Sequence, residues 1–156
     1  MAKLEIGQKA PDFRLLDQND KRVRLADFKG RKLLLYFYPR ADTPGCTKQS
    51  CSVSEALPKL SGLKIHAVGI SPDEPKSLKK FDEKYGLNFP LLSDADHAVA
   101  DAYGVWGTKT SFGQQKQGII RSAFLLDESG KVLRAWYRVK PEDTVPNVLS
   151  EIRESG

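Results

Sequence analysis

A short apolar run that stops at a proline constrains the fold of this chain more than any other feature. Residues 33–38 read Leu-Leu-Leu-Tyr-Phe-Tyr and carry no charge, which is typical of a strand buried on both faces of a sheet. Pro39 has no N–H to donate to a neighbouring strand, so the strand is predicted to end there. We therefore expect the loop after Pro39 to lie at the edge of a covered sheet.

The segment after this loop has the pattern of a helix start. Thr43 suits the N-cap because its hydroxyl can accept from an exposed backbone N–H, and Pro44 suits the first helical position. Cys46 then falls in the first turn, among N–H groups without partners in the helix. The positive end of the helix dipole stabilises a thiolate there, and Gly45 leaves room for a small substrate. The pattern predicts that Cys46 is a reactive nucleophile.

The second and last cysteine, Cys51, follows five residues later. In an ideal α-helix the two Cα atoms are about 8.6 Å apart, whereas a disulfide needs less than about 7 Å. A bond between Cys46 and Cys51 therefore requires the first turns of the helix to unwind. The spacing predicts a reduced, folded state and an oxidised, locally unfolded state. Two inert buried thiols remain the alternative, and a zinc site is disfavoured because no histidine lies nearby to complete the ligand set.

Composition limits the remaining possibilities. A chain of 156 residues is expected to form one domain, residues 1–156. No apolar run approaches the roughly 20 residues that span a bilayer, and the first residues lack the apolar core of a signal peptide. We therefore expect a cytoplasmic protein without membrane contact. The net charge is +5, but basic and acidic residues are interleaved, which argues against a nucleic-acid partner.

Apolar and turn patterns predict a mixed α/β sheet. The predicted strands are residues 12–16 and 21–25, forming an N-terminal β-hairpin, then 32–38, 63–70, 89–92, 119–126 and 132–137. The predicted helices are 44 to about 60, 75–85, 94–103 and 143–154, and residues 106–118 are predicted to be a loop. This order indicates a central mixed sheet flanked by helices on both faces.

The segment Pro39-Arg-Ala-Asp-Thr43-Pro-Gly-Cys46 resembles the Pro-x-x-x-Thr-x-x-Cys motif of the peroxiredoxins. Cys51 resembles the resolving cysteine of the subfamily called peroxiredoxin Q or bacterioferritin comigratory protein. Residues 7–13, 102–107, 118–121 and 124–127 also match the family pattern. The resemblance implies a thioredoxin-like fold and thiol-dependent reduction of hydrogen peroxide and alkyl hydroperoxides.

The resemblance also implies a role for each site residue. Cys46 matches the peroxidatic cysteine and Cys51 the resolving cysteine. Thr43 matches the threonine that binds the sulfur and the peroxide oxygen, Pro39 the proline that shields the site from water, and Arg121 the arginine that activates thiolate and peroxide. Without the resemblance, Arg121 reads equally well as a surface arginine on a strand.

The family pattern implies thioredoxin as the reductant and requires no metal or organic cofactor. No cysteine follows Cys51, so resolution is expected within one chain and the protein is expected to be a monomer. Gln49 is expected on a solvated helix face, with contact to the site as the alternative, and Asp42 is expected to face solvent. The alternatives are a peroxide-sensing redox switch or chaperone, and a thioredoxin-like disulfide exchanger. The rate of thiol oxidation separates them from a peroxidase.

Overall fold

The computed structural model describes residues 3–111 and 113–155. Two positions that the sequence predictions cover lie outside the described residues. They are the first residues, Met1 and Ala2, where no signal peptide is expected, and Phe112 in the predicted loop. The strands are β1 (Arg14–Asp17), β2 (Arg22–Arg24), β3 (Lys32–Phe37), β4 (Ile65–Ser71), β5 (Leu91–Ser93), β6 (Trp106–Ser111), β7 (Gln114–Ile119), β8 (Ser122–Leu126) and β9 (Val132–Trp136). The helices are α1 (Pro44–Gly62), α2 (Pro75–Tyr85), α3 (Ala98–Ala102) and α4 (Thr144–Ser155), and short 3-10 turns cover Leu25–Phe28 and Pro141–Asp143.

Seven strands form one mixed sheet in the order β2-β1-β5-β4-β3-β8-β9. Strand β3 runs parallel to β4 and antiparallel to β8, and β1 pairs antiparallel with both β2 and β5. This arrangement confirms the predicted mixed sheet and its N-terminal hairpin. It also places β3, which leads into the cysteine helix, at the centre of the sheet.

The side chains of β3 alternate between two cores. Leu34 and Tyr36 point to the face covered by α1, α2 and α4, where Val53, Phe81 and Val148 pack. Leu35 points to the other face, which is covered by α3 and by the segment that leads into β6. Because both faces are buried, the strand carries an unbroken apolar sequence. The sheet therefore holds the end of β3, and the start of α1, in a fixed position.

The prediction of a loop over residues 106–118 is wrong. Strands β6 and β7 pair antiparallel as a separate two-stranded ribbon, with Gly113 at φ +77° in the turn. The outer part of β7, from Gln114 to Gln117, is exposed and polar. A ribbon that lies against solvent needs no alternation of apolar and polar residues, so the pattern that reveals buried strands is missing here.

The strand predicted over 119–126 is also divided in two. Ile119 ends β7, and β8 begins at Ser122. Between them, the N–H of Ile120 donates to the carbonyl of Val105, and the carbonyl of Arg121 accepts from the N–H of Val139. Arg121 therefore lies at a junction between the ribbon and the sheet, not within a strand.

The helix predicted over 94–103 is shorter, since α3 covers only Ala98–Ala102. The Asp94 carboxylate precedes it and accepts hydrogen bonds from the N–H groups of Val99 and Ala100. Among residues 3–111 and 113–155, no helix combines the length and apolar character needed to cross a membrane.

Candidate active site

The start of α1 positions Cys46. The N–H of Tyr38 donates to the carbonyl of Ile70, which extends the hydrogen bonding between β3 and β4 by one residue. The strand pairing stops at Pro39. Pro44 is the first residue of α1, and the N–H of Thr47 donates to the carbonyl of Thr43 at 2.8 Å, which closes the first helical turn. Cys46 is thus the third helical residue, as predicted, and its side chain is buried.

Arg121 reaches this sulfur from the junction between β7 and β8. Its Nη2 donates to Cys46 Sγ at 3.4 Å, and its Nη1 donates to Gln49 Oε1 at 2.7 Å. Strand β8 lies beside β3, which brings a residue 75 positions away in sequence to the start of α1. A guanidinium at this distance stabilises a negative charge on sulfur.

Gln49 is a member of the site that sequence reasoning missed. It was expected on a solvated helix face, but its side chain is fully buried. Its Nε2 donates to the Thr144 hydroxyl at the start of α4 at 2.8 Å, while its carbonyl accepts from Arg121. The available signal was its spacing: a residue three positions after Cys46 lies on the same helix face. This face of α1 is buried because α4 packs over it, which the local sequence does not reveal.

Thr43 occupies the N-cap position, but its side chain does not make the predicted capping bond. The hydroxyl instead donates to the carbonyl of Arg40 at 2.9 Å. A hydroxyl that donates its one proton to a carbonyl keeps its lone pairs free to accept from another group. The Thr43 hydroxyl can therefore accept a further hydrogen bond.

Two contacts fix the loop that carries Thr43. The N–H of Ala41 donates to the Asp73 carboxylate at 2.7 Å. The Asp42 carboxylate accepts from Lys84 Nζ at 2.9 Å and from the Tyr85 hydroxyl at 2.7 Å, both on α2. These two hydrogen bonds, the one from Lys84 first, lower the pKa of Asp42. Asp42 is exposed as expected, although it is bound to α2 and not left in solvent.

Cys51 lies further along the same unbroken helix and is half-buried, and both cysteines are free thiols. Burial, and then the charge of Glu55, raise the pKa of the Cys51 thiol. The intact helix therefore presents Cys51 as a protonated thiol that is too far from Cys46 for a disulfide.

A groove of about 390 Å³ opens beside Pro39. Its lining includes Trp106 and Lys109 of β6 and Ile119 of β7, together with Pro72 and Ala95. Trp106 stacks on the His97 ring with centroids 3.8 Å apart, and His97 also contacts the Asp101 carboxylate at 2.9 Å. These contacts do not join His97 to the thiol, and no group of three or more metal-ligating side chains occurs within the described part of the chain.

Lys109, on β6, also lines this groove. Burial lowers the pKa of its ammonium, the nearby charge of Arg121 lowers it further, and the charge of Cys46 acts in the opposite direction. The Lys109 side chain is half-buried. Its segment was predicted to be a loop, so no sequence signal placed it here.

Comparison with known proteins gives concordant results. The model of the AhpC/TSA family matches residues 6–135. The chain is 42% identical to peroxiredoxin Bcp of Escherichia coli K12 over 154 residues, which cover 99% of each protein. Peroxiredoxin Q of Xylella fastidiosa, solved as a cysteine-to-serine variant, superimposes with a TM-score of 0.92 at 29% identity over 99% of both chains. A bacterioferritin comigratory protein of Xanthomonas campestris, solved to explain its reduction of alkyl peroxides, has a TM-score of 0.88 at 33% identity over 97% of this chain and 99% of that chain.

Proposed function

This chain belongs to the AhpC/TSA family of peroxiredoxins and is a thiol peroxidase, and we propose that Cys46 carries out its reaction with Cys51 as the internal resolving thiol. The observation that carries the proposal is the contact of 3.4 Å between Arg121 Nη2 and Cys46 Sγ at the start of α1. The helix N-terminus and the adjacent guanidinium stabilise the thiolate charge and hold the sulfur in a fixed position.

In the first step the Cys46 thiolate attacks the terminal oxygen of a peroxide, and the sulfur becomes a sulfenic acid. The Thr43 hydroxyl accepts from the peroxide O–H and orients the attacked oxygen. Arg121 donates hydrogen bonds along the path over which charge moves from sulfur to the leaving oxygen, which stabilises the transition state. Pro39, between the end of β3 and the groove, limits the approach of water. Hydrogen peroxide and alkyl hydroperoxides are the substrates of this reaction.

In the second step the first turns of α1 unwind so that Cys51 can attack the sulfenic sulfur and release water. Unwinding has to break the hydrogen bonds that tie this part of α1 to its surroundings. They include the bonds from Arg121 to Gln49 and from Gln49 to Thr144, and the bond of 2.7 Å between the hydroxyls of Ser50 and Tyr36. These bonds stabilise the folded start of α1, in which Cys46 reacts with peroxide. Breaking them contributes to the free energy needed for the resolving step.

In the third step a dithiol protein, which we propose to be thioredoxin, reduces the Cys46–Cys51 disulfide by exchange. A dithiol reductant fits a cytoplasmic enzyme, because the cytoplasm keeps thiols reduced. Since both cysteines belong to one helix, the cycle needs no second subunit, and we propose that a monomer carries it out.

The proposal is tested by stopped-flow oxidation of the reduced protein with hydrogen peroxide, followed through tryptophan fluorescence, with mass spectrometry of the product. We expect oxidation far faster than that of a free cysteine and a product that has lost two hydrogen atoms in a Cys46–Cys51 bond. Cys46→Ser should abolish the reaction. Cys51→Ser should allow the first oxidation but stop thioredoxin-driven turnover and favour overoxidation of Cys46. Oxidation at the rate of a free cysteine would instead support a redox switch or a disulfide exchanger.

A further inference from the structure

One peptide group in the loop before α1 is held at both of its ends. It consists of the carbonyl of Arg40 and the N–H of Ala41. The carbonyl accepts from the Thr43 hydroxyl at 2.9 Å, and the N–H donates to Asp73 Oδ2 at 2.7 Å. Because a peptide group is planar, the two hydrogen bonds belong to one rigid unit. The position of Asp73 therefore determines where the acceptor of the Thr43 proton lies.

The backbone turns sharply between this peptide group and Thr43. Asp42 has φ +60°, in the left-handed region that aspartate adopts more readily than most residues. With this turn, the Thr43 hydroxyl lies within hydrogen-bond distance of a carbonyl three residues earlier. The turn is also tied to α2, through the bonds of Asp42 to Lys84 and Tyr85. A change at Asp73 therefore leaves this second tether of the loop in place.

Asp73 is fixed to the end of β4. Ser71, the last residue of β4, is fully buried. Its hydroxyl donates to Asp73 Oδ2 at 2.8 Å and accepts from the Asp73 N–H at 3.2 Å. One carboxylate oxygen thus accepts both from the end of β4 and from Ala41. Since β4 pairs with β3 inside the sheet, the carboxylate is held in place relative to the loop that follows β3.

The charge of Asp73 favours one of the two orientations of this peptide group. The N–H is the positive end of the peptide dipole, and it faces the carboxylate. In the reversed orientation the carbonyl oxygen would face the carboxylate and be repelled. Within residues 3–111 and 113–155 no salt bridge involves Asp73, so no paired cation weakens this preference. The carboxylate also polarises the peptide, which makes its carbonyl oxygen a stronger acceptor for the Thr43 proton.

The direction of the Thr43 proton matters for the reaction at Cys46. Thr43 is the N-cap residue of α1 and Cys46 is the third helical residue, so both belong to the first turn. A hydroxyl has one proton, and while the Arg40 carbonyl accepts it, the lone pairs of Thr43 are left for a peroxide O–H. A hydroxyl that donated to the thiolate instead would stabilise the sulfur before the reaction and not in the transition state, which slows the reaction.

We propose that Asp73 is a positioning residue for the peroxidase reaction. Through the peptide group of Arg40 and Ala41, it keeps the Thr43 hydroxyl oriented as a hydrogen-bond acceptor. The inference rests on the proposed roles of Cys46 and Thr43, and it extends them to a residue outside the start of α1. The sequence gave no signal for this role, because Asp73 lies 32 residues from the N–H that it binds.

The test begins with Asp73→Asn, which keeps the shape of the side chain and removes its charge. The asparagine amide satisfies the peptide group in either orientation, because its oxygen accepts from an N–H and its nitrogen donates to a carbonyl. We expect the second-order rate constant for oxidation of Cys46 by hydrogen peroxide to fall by about tenfold, the size expected for the loss of one oriented hydrogen bond. Thr43→Val removes the hydroxyl at nearly the same volume and should slow the reaction by at least as much.

The double variant, Asp73→Asn with Thr43→Val, shows whether Asp73 acts through the Thr43 hydroxyl. If it does, the charge of Asp73 has no effect once the hydroxyl is absent, and the double variant reacts at the rate of Thr43→Val. Independent effects would instead multiply to about a hundredfold loss. That result overturns the proposal, because Asp73 would then affect only the shape of the loop.

Ser71→Ala removes the other bond to Asp73 Oδ2 and provides a second, milder route to the same test. Its loss of rate should also disappear when it is combined with Thr43→Val. Thermal unfolding of every variant establishes that it is folded at the temperature of the rate measurement.

Glu74→Gln is the matched control for Asp73→Asn. Glu74 is the next residue, is exposed, and makes no side-chain capping bond at the start of α2. Its rate constant should equal that of the unchanged protein.

The outcomes separate this inference from the proposed function. Asp73→Asn with the rate of the unchanged protein overturns the role of Asp73 alone. Thr43→Val with that rate overturns the role of Thr43 as well. Oxidation of the unchanged protein at the rate of a free cysteine overturns the role of Cys46.

Discussion

The side-chain oxygen of Gln49, Oε1, accepts from Arg121 Nη1 at 2.7 Å, and the other terminal guanidinium nitrogen donates to Cys46 Sγ. Gln49 is in turn bound to Thr144 of α4. The arginine is therefore held by two residues of one helix turn, Cys46 and Gln49, and through them by α4. Its rigid fork matches two acceptors at once, which a lysine at this position does not do.

Replacing Gln49 by alanine should therefore disturb both stability and reactivity. The change leaves the Thr144 hydroxyl and one guanidinium N–H without their buried partner, at a cost of about 1–3 kcal/mol in the free energy of unfolding. Because Arg121 loses its orientation, we expect Cys46 oxidation to slow by roughly tenfold or more, which corresponds to about 1.4 kcal/mol of transition-state stabilisation. Denaturant unfolding and stopped-flow oxidation measure the two effects. Thr144→Val should destabilise the protein with a smaller effect on the rate, and the opposite order would contradict this role for Gln49.

Gly45→Ala should slow the reaction without unfolding the helix. A Cβ at this position would lie 3.1 Å from Arg121 Nη2, so the guanidinium, which also contacts the sulfur, has to shift by a few tenths of an ångström. Alanine also has the higher helix propensity, by about 1 kcal/mol in a helix interior. We expect a slower oxidation of Cys46 with unchanged or increased thermal stability.

Gly62→Ala provides the matched control for Gly45→Ala, because it lies in the same helix and, among the described residues, no atom outside the local helix backbone and the adjacent residues lies within 4 Å of its added Cβ. Its oxidation rate should equal that of the unchanged protein. Equal rates for both alanine variants would show that the space next to Arg121 does not matter.

Ser50→Ala should make the resolving step easier. The Ser50 hydroxyl is buried and lies 2.7 Å from the Tyr36 hydroxyl in the core. Ser50 directly precedes Cys51, which has to move in the resolving step. Its removal leaves a buried hydroxyl on Tyr36 without this partner and destabilises the folded first turns of α1 by about 1–3 kcal/mol. We expect faster formation of the Cys46–Cys51 disulfide after oxidation and less overoxidation at high peroxide, both measured by mass spectrometry.

The double change Tyr36→Phe with Ser50→Ala removes both hydroxyls and should recover most of the lost stability, since no polar group is left unpaired. Disulfide formation in the double variant should then return toward the rate of the unchanged protein. If the double variant forms the disulfide as fast as Ser50→Ala, the stability provided by this hydrogen bond does not control the rate of the resolving step.

The thiol of Cys51 should react with alkylating agents only at higher pH than an ordinary cysteine while α1 is folded. Burial and the charge of Glu55 both disfavour the thiolate and so raise its pKa. In Cys46→Ser, the rate of alkylation by iodoacetamide is therefore expected to rise at a pH above that of the same protein in denaturant. Glu55→Gln should move this rise toward lower pH, because it removes the like charge. An identical pH profile for folded and denatured protein would mean that the folded helix does not change the pKa of the Cys51 thiol.

Local rules of sequence determined the start of α1, and tertiary structure determined what surrounds it. Pro39 ends β3, Pro44 begins α1, and Cys46 falls in the first turn, because these features depend on backbone hydrogen bonds and ring geometry within a few residues. The buried apolar pattern of β3 likewise predicted a covered, mixed sheet. The Thr43 side chain does not make its predicted capping bond, and its hydroxyl donates to the carbonyl of Arg40 instead.

The partners of Cys46 come from elsewhere in the chain. Arg121 reaches the sulfur because β8 pairs with β3, and Gln49 is buried because Thr144 at the start of α4 covers it. The β6–β7 ribbon, which brings Lys109 to the groove beside Pro39, was not predicted because the exposed, polar part of β7 carries no periodic signal. A contact between distant residues depends on which strands become neighbours and which helix faces are covered. That choice is made by packing of the whole chain, and the short-range patterns that place a helix start do not contain it.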